Sequence, residues 1–422
     1  MGTIITQSEV RWYRSTMEGA PAMTSQSAGS MIDVLKKCLI EGFGERTDFT
    51  ASIQASGHCT VTFAAPHAYL NHQIIAFSGA DVAFGGVNGT HRIYDKGTHT
   101  FKFVVDNYTG PADTLTGTLA IRVPPQGGWE VKIEDTSANP HKCILGTTSQ
   151  DPTKSGYMLY LEDDVRVGLT SNTSYSRWCT YVQGCNGYTD IDTRESTFGS
   201  WYWAKSRVHE VITLPWFIAA DDRMFYFAVQ VNPGDNNHWD IYVFGDIESF
   251  LPFDQHHSIL VGTGNVTSIT NSGANSWDRS NRRSRFMNLM NSGYKWIARN
   301  WNQVNQNEGI TLLGARHPSD WMAYGGLSTP NPAGNQILYS PIWVRDATAG
   351  SIRGRLPGCL QNLHNVNVGG NFTAFADPNT QRLIMLVPGT TGTSASWQES
   401  TSSGTVANSY RQAFFDIVGP WR

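Results

Sequence analysis

Acidic side chains set close together are the first residues in this sequence that could do chemistry. Asp163-Asp164, Asp190-x-Asp192 and Asp221-Asp222 each place two carboxylates near one another. Glycoside hydrolysis needs such a pair on either side of a sugar bond, one carboxyl as acid and the other as base or nucleophile. Trp201, Tyr202 and Trp203 would supply rings to stack on the sugar. The competing reading is local. Asp side chains bond backbone amides a few residues on and so hold turns, which accounts for every Asp here at its position. The aromatic triplet then belongs to a strand that feeds the core. Asp190-x-Asp192 also lacks the third carboxylate and the glycine of a calcium loop.

Other chemistries fail on spacing. His209-Glu210 begins like a zinc-binding H-E-x-x-H, but Thr213 stands where the second His belongs. Gly-Lys never occurs as a dipeptide, so there is no phosphate-binding G-x-x-x-x-G-K-[ST], and there is no G-x-S-x-G elbow. His256 and His257 are neighbours, and neighbours on a strand point to opposite faces, which disfavours one shared ion. No catalytic, metal-binding or cofactor-binding residue is assigned, and no cofactor is expected. Interface candidates remain. Arg279, Arg282, Arg283 and Arg285 form a basic cluster in a polar loop, open to solvent, to a neighbouring subunit or to DNA. Arg353 and Arg355 share one face of a strand and could grip a partner's carboxylates in bidentate fashion, or line an exposed edge. Trp201 and Trp203 complete the set.

The elements that must position these residues are mostly strands. A helix comes first: Ser30 is a suitable N-cap with Asp33 three residues on, and Met31, Leu35, Cys38 and Leu39 make an apolar stripe. Gly42 and Gly44 end it. From Thr50 to Val123, short apolar runs alternate with turn signals such as Asn88-Gly89 and Thr109-Gly110-Pro111. Pro124–Gly128 reads as a linker. Beyond it, Tyr157–Glu162 and Val165–Leu169 suggest a hairpin turned at Asp163-Asp164. Pro215–Ala220 and Met224–Val231 suggest another, turned at Asp221–Arg223, with Phe225, Phe227 and Val229 on one face. Further strands are expected at Ile310–Leu313, Ile337–Val344, Gly350–Leu356, Leu383–Val387 and Gln412–Val418. Thr390–Thr405 is low-complexity Ser/Thr/Gly.

The expected class is therefore mainly β: several sandwich or barrel modules with one short N-terminal helix. The expected divisions are an arm and docking helix over 1–49, a small β-barrel module over 50–123 and a central β domain over 124–262. A polar, basic connection over 263–300 and a C-terminal β region over 301–422 follow. The arm carries few apolar anchors, so it is expected to order on a partner.

Composition narrows the function. Only 16% of the 422 residues are charged, against ~25% in an ordinary globular domain. Aromatics reach 12%, with 14 Trp and 16 Tyr. A surface poor in Lys and Glu and rich in aromatics resembles the centre of a protein–protein interface. An all-β chain with no such role would share part of that bias. The net charge of −4 gives no basic field for nucleic acid. Neither a signal peptide nor an 18-residue apolar run is visible, so no membrane association is expected. None of the six cysteines forms a C-x-x-C pair. Cys179 and Cys185 flank Thr180–Gly184, which as a hairpin would set them face to face; the other reading is small buried thiols in a reducing cytosol.

Several stretches resemble a family of virion structural proteins of tailed bacteriophages. They include Ser15–Pro21, Ala28–Leu35, Cys38–Gly44, Gly187–Asp192, Trp216–Phe227 with its central Ala220-Asp221-Asp222-Arg223, Phe244–Ile247, Ser340–Val344 and Ile352–Gly358. The segment 50–123 is similar to the small β-modules that phage proteins insert. Thr263–Trp301 and Gln361–Arg422 depart most from the family pattern. The resemblance implies a place in a virion made in the host bacterial cytoplasm: tail, baseplate or neck, with capsid decoration as the alternative. It implies partners that are copies of this chain in a symmetric cluster and other virion proteins. It supplies no active-site residues. A receptor-binding or polysaccharide-degrading tail module, taking a host surface glycan, is the rival reading.

Overall fold

The computed structural model describes residues 10–148, 153–167, 177–206, 211–231, 239–262, 294–304, 306–313, 339–362, 372–376, 382–388 and 412–422. Nearly all of the regular structure is antiparallel β. Among the described residues the one α-helix is Ser30–Lys36, extended by a wider turn over Lys37–Glu41.

A 13-stranded sheet forms the spine of the described residues. Next to its Arg11–Arg14 edge lies the hairpin of Trp216–Ala220 and Met224–Gln230, in register from Trp216 opposite Val229 to Ala220 opposite Phe225. The turn forms because Asp221 Oδ1 accepts the amides of Arg223 (2.8 Å) and Met224 (2.7 Å). Every residue of Met224–Gln230 is buried, so both faces of this strand are covered and not one. Trp239–Asp246 follows in register and is buried throughout.

A five-stranded sheet lies beside it, ordered Trp129–Asp135, His141–Thr147, Met158–Val167, Arg177–Cys185 and Phe198–Ser206. One face packs inward through Leu159, Leu161, Val182 and Trp203. Two four-stranded sheets come from residues 43–123. Between them pack Phe63, Phe77, Phe101 and Phe103, with ring centroids 5.6–5.7 Å apart.

Four expectations are corrected here. Asp163-Asp164 is no turn: Met158–Val167 is one strand, with a bulge between Asp163 and Val165. The bulge leaves Asp163 wholly buried, where Lys205 Nζ sits 3.0 Å away and the Thr180 hydroxyl donates to it at 2.7 Å. Its other oxygen accepts the Met31 amide at 2.9 Å. Asp163 therefore caps the helix from a distant strand, satisfying an amide that the helix cannot. Ser30 does not act as the cap. Gly29 takes that place at φ 76°, and the Ser30 hydroxyl turns back to the Thr24 carbonyl at 2.9 Å.

Cys179 and Cys185 are not bonded. They lie on the single strand Arg177–Cys185, six residues and hence roughly 20 Å apart. All six cysteines are free and buried. Finally, residues 10–29 order on this chain itself. Arg11–Arg14 pairs with Trp216–Ala220, and Trp12, Tyr13, Met17 and Met23 are buried. Those four side chains are the anchors that composition alone hid.

Candidate functional site

The most elaborate polar constellation gathers around Asp254. It is placed by the loop between the short strand Glu248–Ser249 and the strand Ser258–Val261. The loop is pinned to the strand Ile352–Asn362: Glu248 and Ser249 pair with Arg355 and Gly354, and the Phe250 amide donates to the Arg353 carbonyl at 2.8 Å. This brings Arg353 onto Asp254 in a two-pronged contact, Nε to Oδ2 at 2.7 Å and Nη2 to Oδ1 at 2.8 Å. Both side chains are about 1% exposed. The remaining lone pairs are also taken. Ser249 Oγ donates at 2.7 Å, the His256 amide at 3.0 Å and Gln303 Nε2 at 3.2 Å. Arg353 Nη1 reaches the Arg299 carbonyl at 3.2 Å. Burial pushes the Asp254 carboxyl up, but the Arg353 guanidinium, the Ser249 hydroxyl and the His256 amide outweigh it and hold the group at about 2. Asp254 is thus a fixed anion with no proton to give.

A second ring of contacts surrounds this pair. His257 Nε2 lies 3.4 Å from Asp246 Oδ2, and its Nδ1 meets the Asp254 carbonyl. Asp246 in turn accepts the Ser155 amide at 2.8 Å and the Ser155 hydroxyl at 2.5 Å. His256 Nδ1 contacts the Tyr157 hydroxyl at 3.0 Å. The two histidines thus have separate partners. Ser155, Asp246 and His257 hold the residue types of an acyl-transfer triad in the wrong order. The carboxylate sits between hydroxyl and imidazole, whereas activation of the hydroxyl needs the imidazole in the middle. Among the described residues, no group of three His, Cys, Asp or Glu side chains could hold a metal ion.

Apolar side chains stand in solvent around this rigid base. Phe253 is 95% exposed, Val304 71%, Phe250 48% and Ile352 44%. These are four of the six large hydrophobics exposed among the described residues. Phe253 adjoins Asp254 and Ile352 adjoins Arg353; Val304 adjoins Gln303; Phe250 is bonded to Arg353 through its backbone. Phe250 also packs on Trp343 with its ring tilted by 52°, 5.6 Å between centroids. Phe253 holds φ at 58°, a left-handed conformation that costs energy for a bulky residue. Neither exposure nor strain helps an isolated fold.

The residues singled out from the sequence are scattered. Arg353 and Arg355 both make bidentate carboxylate pairs, but with this same chain. Arg355 takes Glu248 at 2.5 and 3.0 Å and stays 41% exposed. Trp203 is fully buried, donates to the Val261 carbonyl at 2.9 Å and stacks on Tyr242, so it belongs to the core. Trp201 is half-buried against Tyr294, 4.3 Å between centroids, at the seam between the five-stranded and 13-stranded sheets. Asp190 holds its own turn, accepting the amides of Asp192 and Thr193, each at 2.8 Å. Asp192 pairs with Lys142 at 2.6 Å, Asp222 with Lys154 at 2.7 Å and Asp221 with Arg422 at 3.1 Å. Arg279, Arg282, Arg283, Arg285, His209 and Glu210 lie outside the described residues, as does the Asp164 side chain. Sequence reasoning missed Asp254 and the apolar residues beside it. The available signal was Phe250-Leu251-Pro252-Phe253, an apolar run broken by proline where a turn was due.

No protein-family model matches the chain. No curated protein matches it either. Among solved structures, Phage phi92 endosialidase aligns at 10% identity over 85% of this chain and 75% of that one, with a TM-score of 0.17. A score that low argues for neither a fold nor a function. No described helix is long and apolar enough to cross a membrane.

Proposed function

We propose that this chain is a non-enzymatic structural component of a tailed-phage virion, in its tail, baseplate or neck. It works by adhesion to copies of itself and to neighbouring virion proteins. The observation that carries the reading is that Phe250, Phe253, Val304 and Ile352, large apolar side chains, are exposed on the segments that meet at the Asp254–Arg353 clamp. Burying such a patch against a partner gains about 25 cal/mol per Å². The bidentate pair beneath keeps the rim preorganised, so little ordering entropy is lost on contact. Closed symmetric clusters are the usual way that one patch serves many copies. Of the carboxylates that could have cut a sugar bond, Asp163, Asp190, Asp192, Asp221 and Asp222 are each committed to a turn or an ion pair, which supports assembly over hydrolysis. Capsid decoration would use the same contact at a different place on the particle.

The test is a chain carrying Phe253→Asp and Val304→Asp, both at exposed positions. Its melting temperature should match wild type. It should fail to enter virions when it replaces the wild-type chain during infection, as read by mass spectrometry of purified particles and of tail-less heads. Normal incorporation of the double variant would overturn the proposal.

A further inference from the structure

The outer face of the five-stranded sheet is built unlike the apolar rim. Residues paired across strands share a face. One row runs Lys142, Glu162, Tyr181, Tyr202 and the next runs Ile144, Tyr160, Gln183, Ser200. The hairpin of Gly187–Tyr188 and Arg194–Glu195 folds over part of this face. Arg194 lies 3.7 Å above the Tyr160 ring, and Tyr188 and Ile191 pack on the cluster of Ile144, Met158 and Tyr160. Tyr160 is thereby buried, while Tyr181 and Tyr202 stay half-exposed and Ser200 is exposed. The result is a ledge, with two tyrosines as floor and the hairpin as wall.

We infer that this ledge binds a neutral saccharide. A pyranose ring offers an apolar C–H face and a rim of hydroxyls. The floor offers two rings with centroids 5.5 Å apart and planes at 70°, a corner against which such a face can rest. Around it stand the Tyr181 and Ser200 hydroxyls, 2.6 Å apart, which both donate and accept, and the Glu162 carboxylate, an acceptor that takes the Tyr160 hydroxyl at 3.0 Å. The Tyr202 hydroxyl has no hydrogen-bond partner among the described residues.

Charge selects the class of sugar. The two described cations beside the ledge are spent. Lys142 holds Asp192 at 2.6 Å; Arg194 stacks on Tyr160 and donates to Gln183 at 3.0 Å and to the Ile191 carbonyl at 2.9 Å. Glu162 leaves the ledge with an anion, so a sialylated, uronate or phosphorylated glycan would meet repulsion with no unpaired cation among the described residues beside it to offset it. A protein partner would want a wider apolar centre than two tyrosines give. The ledge and the apolar rim lie on different sheets, so this inference does not rest on the assembly reading.

The experiment titrates the full chain with neutral hexose oligomers (α-glucan, β-glucan, galactan and mannan fragments) and with sialylated and uronate oligomers, by calorimetry. At least one neutral oligomer should bind, and the acidic ones should bind at least about tenfold more weakly, a gap of ~1.4 kcal/mol. Tyr202→Ala should cost at least about tenfold in affinity. Because that residue is partly buried, Ser200→Arg at an exposed position provides a second variant that fills the ledge and should abolish binding. Phe253→Asp should leave binding unchanged. Failure of every neutral oligomer to bind, equal or tighter binding of acidic ones, or full affinity in Ser200→Arg would each overturn the inference.

Discussion

Asp254→Asn is the sharpest test of the clamp. The amide is nearly isosteric with the carboxylate and keeps one acceptor oxygen, so packing is preserved while the charge is removed. Arg353 then remains at 0% exposure without a counter-ion. Breaking a buried pair from one side costs about 3–5 kcal/mol, since the surviving charge is stranded. A second estimate comes from the proton. The folded carboxyl sits at about 2 against an ordinary value of 3.8. That gap is roughly 1.8 units, or ~2.4 kcal/mol, at 1.36 kcal/mol per unit. The sign follows from which state holds the proton more tightly. A depressed folded value means that this stability is present above pH ~4 and is lost as pH falls towards ~2. Urea denaturation followed by tryptophan fluorescence, repeated from pH 6 to pH 2, measures both. Wild type should lose about 2 kcal/mol across that window in excess of Asp254→Asn, which should start lower by about 3–5 kcal/mol and show a flatter profile. Adding Arg353→Met to Asp254→Asn should restore most of the loss, because a buried pair replaced by apolar groups is near neutral. A loss below about 1 kcal/mol, or no rescue by the second change, would refute the clamp as described.

Asp163→Ala should cost about 3–5 kcal/mol, since it strands Lys205, and should speed amide exchange at Met31, which loses its acceptor. Gly29→Ala should cost about 1–3 kcal/mol in thermal unfolding, because its φ is 76° and a Cβ there would lie 2.0 Å from His141 Nδ1. The thiols of Cys59, Cys143 and Cys185, each pushed up by burial to about 12, should not react with a disulfide reagent at pH 8 until the chain unfolds. His91 and His72, both lowered by burial, should titrate below 6.5 by NMR; protonation should weaken the fold only as pH drops under that value.

The β class was legible because alternation and turn signals are local properties of the chain. The hairpin over 216–230 could be read from Asp221 alone, whose side chain makes the turn. The Asp163 hairpin misled for the same reason. Asp is a turn former until a distant Lys205 and a helix amide supply buried partners, and those partners are 42 and 132 positions away. The Asp254 site stayed hidden because its halves come from residues 99 apart, and neither half has a recognisable spacing. Arg353 could be matched to a bidentate carboxylate, but not to this one. Trp203 shows the limit of composition: a large aromatic reads alike whether it faces a neighbour or the core.

The 216–230 hairpin imposes an order on the folding of the nascent chain. Arg11–Arg14 emerges early and pairs with Trp216–Ala220, about two hundred residues later. Arg422 reaches back to Asp221 across another 201 positions. Until the hairpin appears, Trp12 and Tyr13 can meet His72, Phe43 and Pro124, but the backbone of Arg11–Arg14 lacks its strand partner. Long-range closure of this kind is slow. During synthesis this segment therefore waits with a bare backbone edge, and an agent that shields that edge would raise the yield of folded protein.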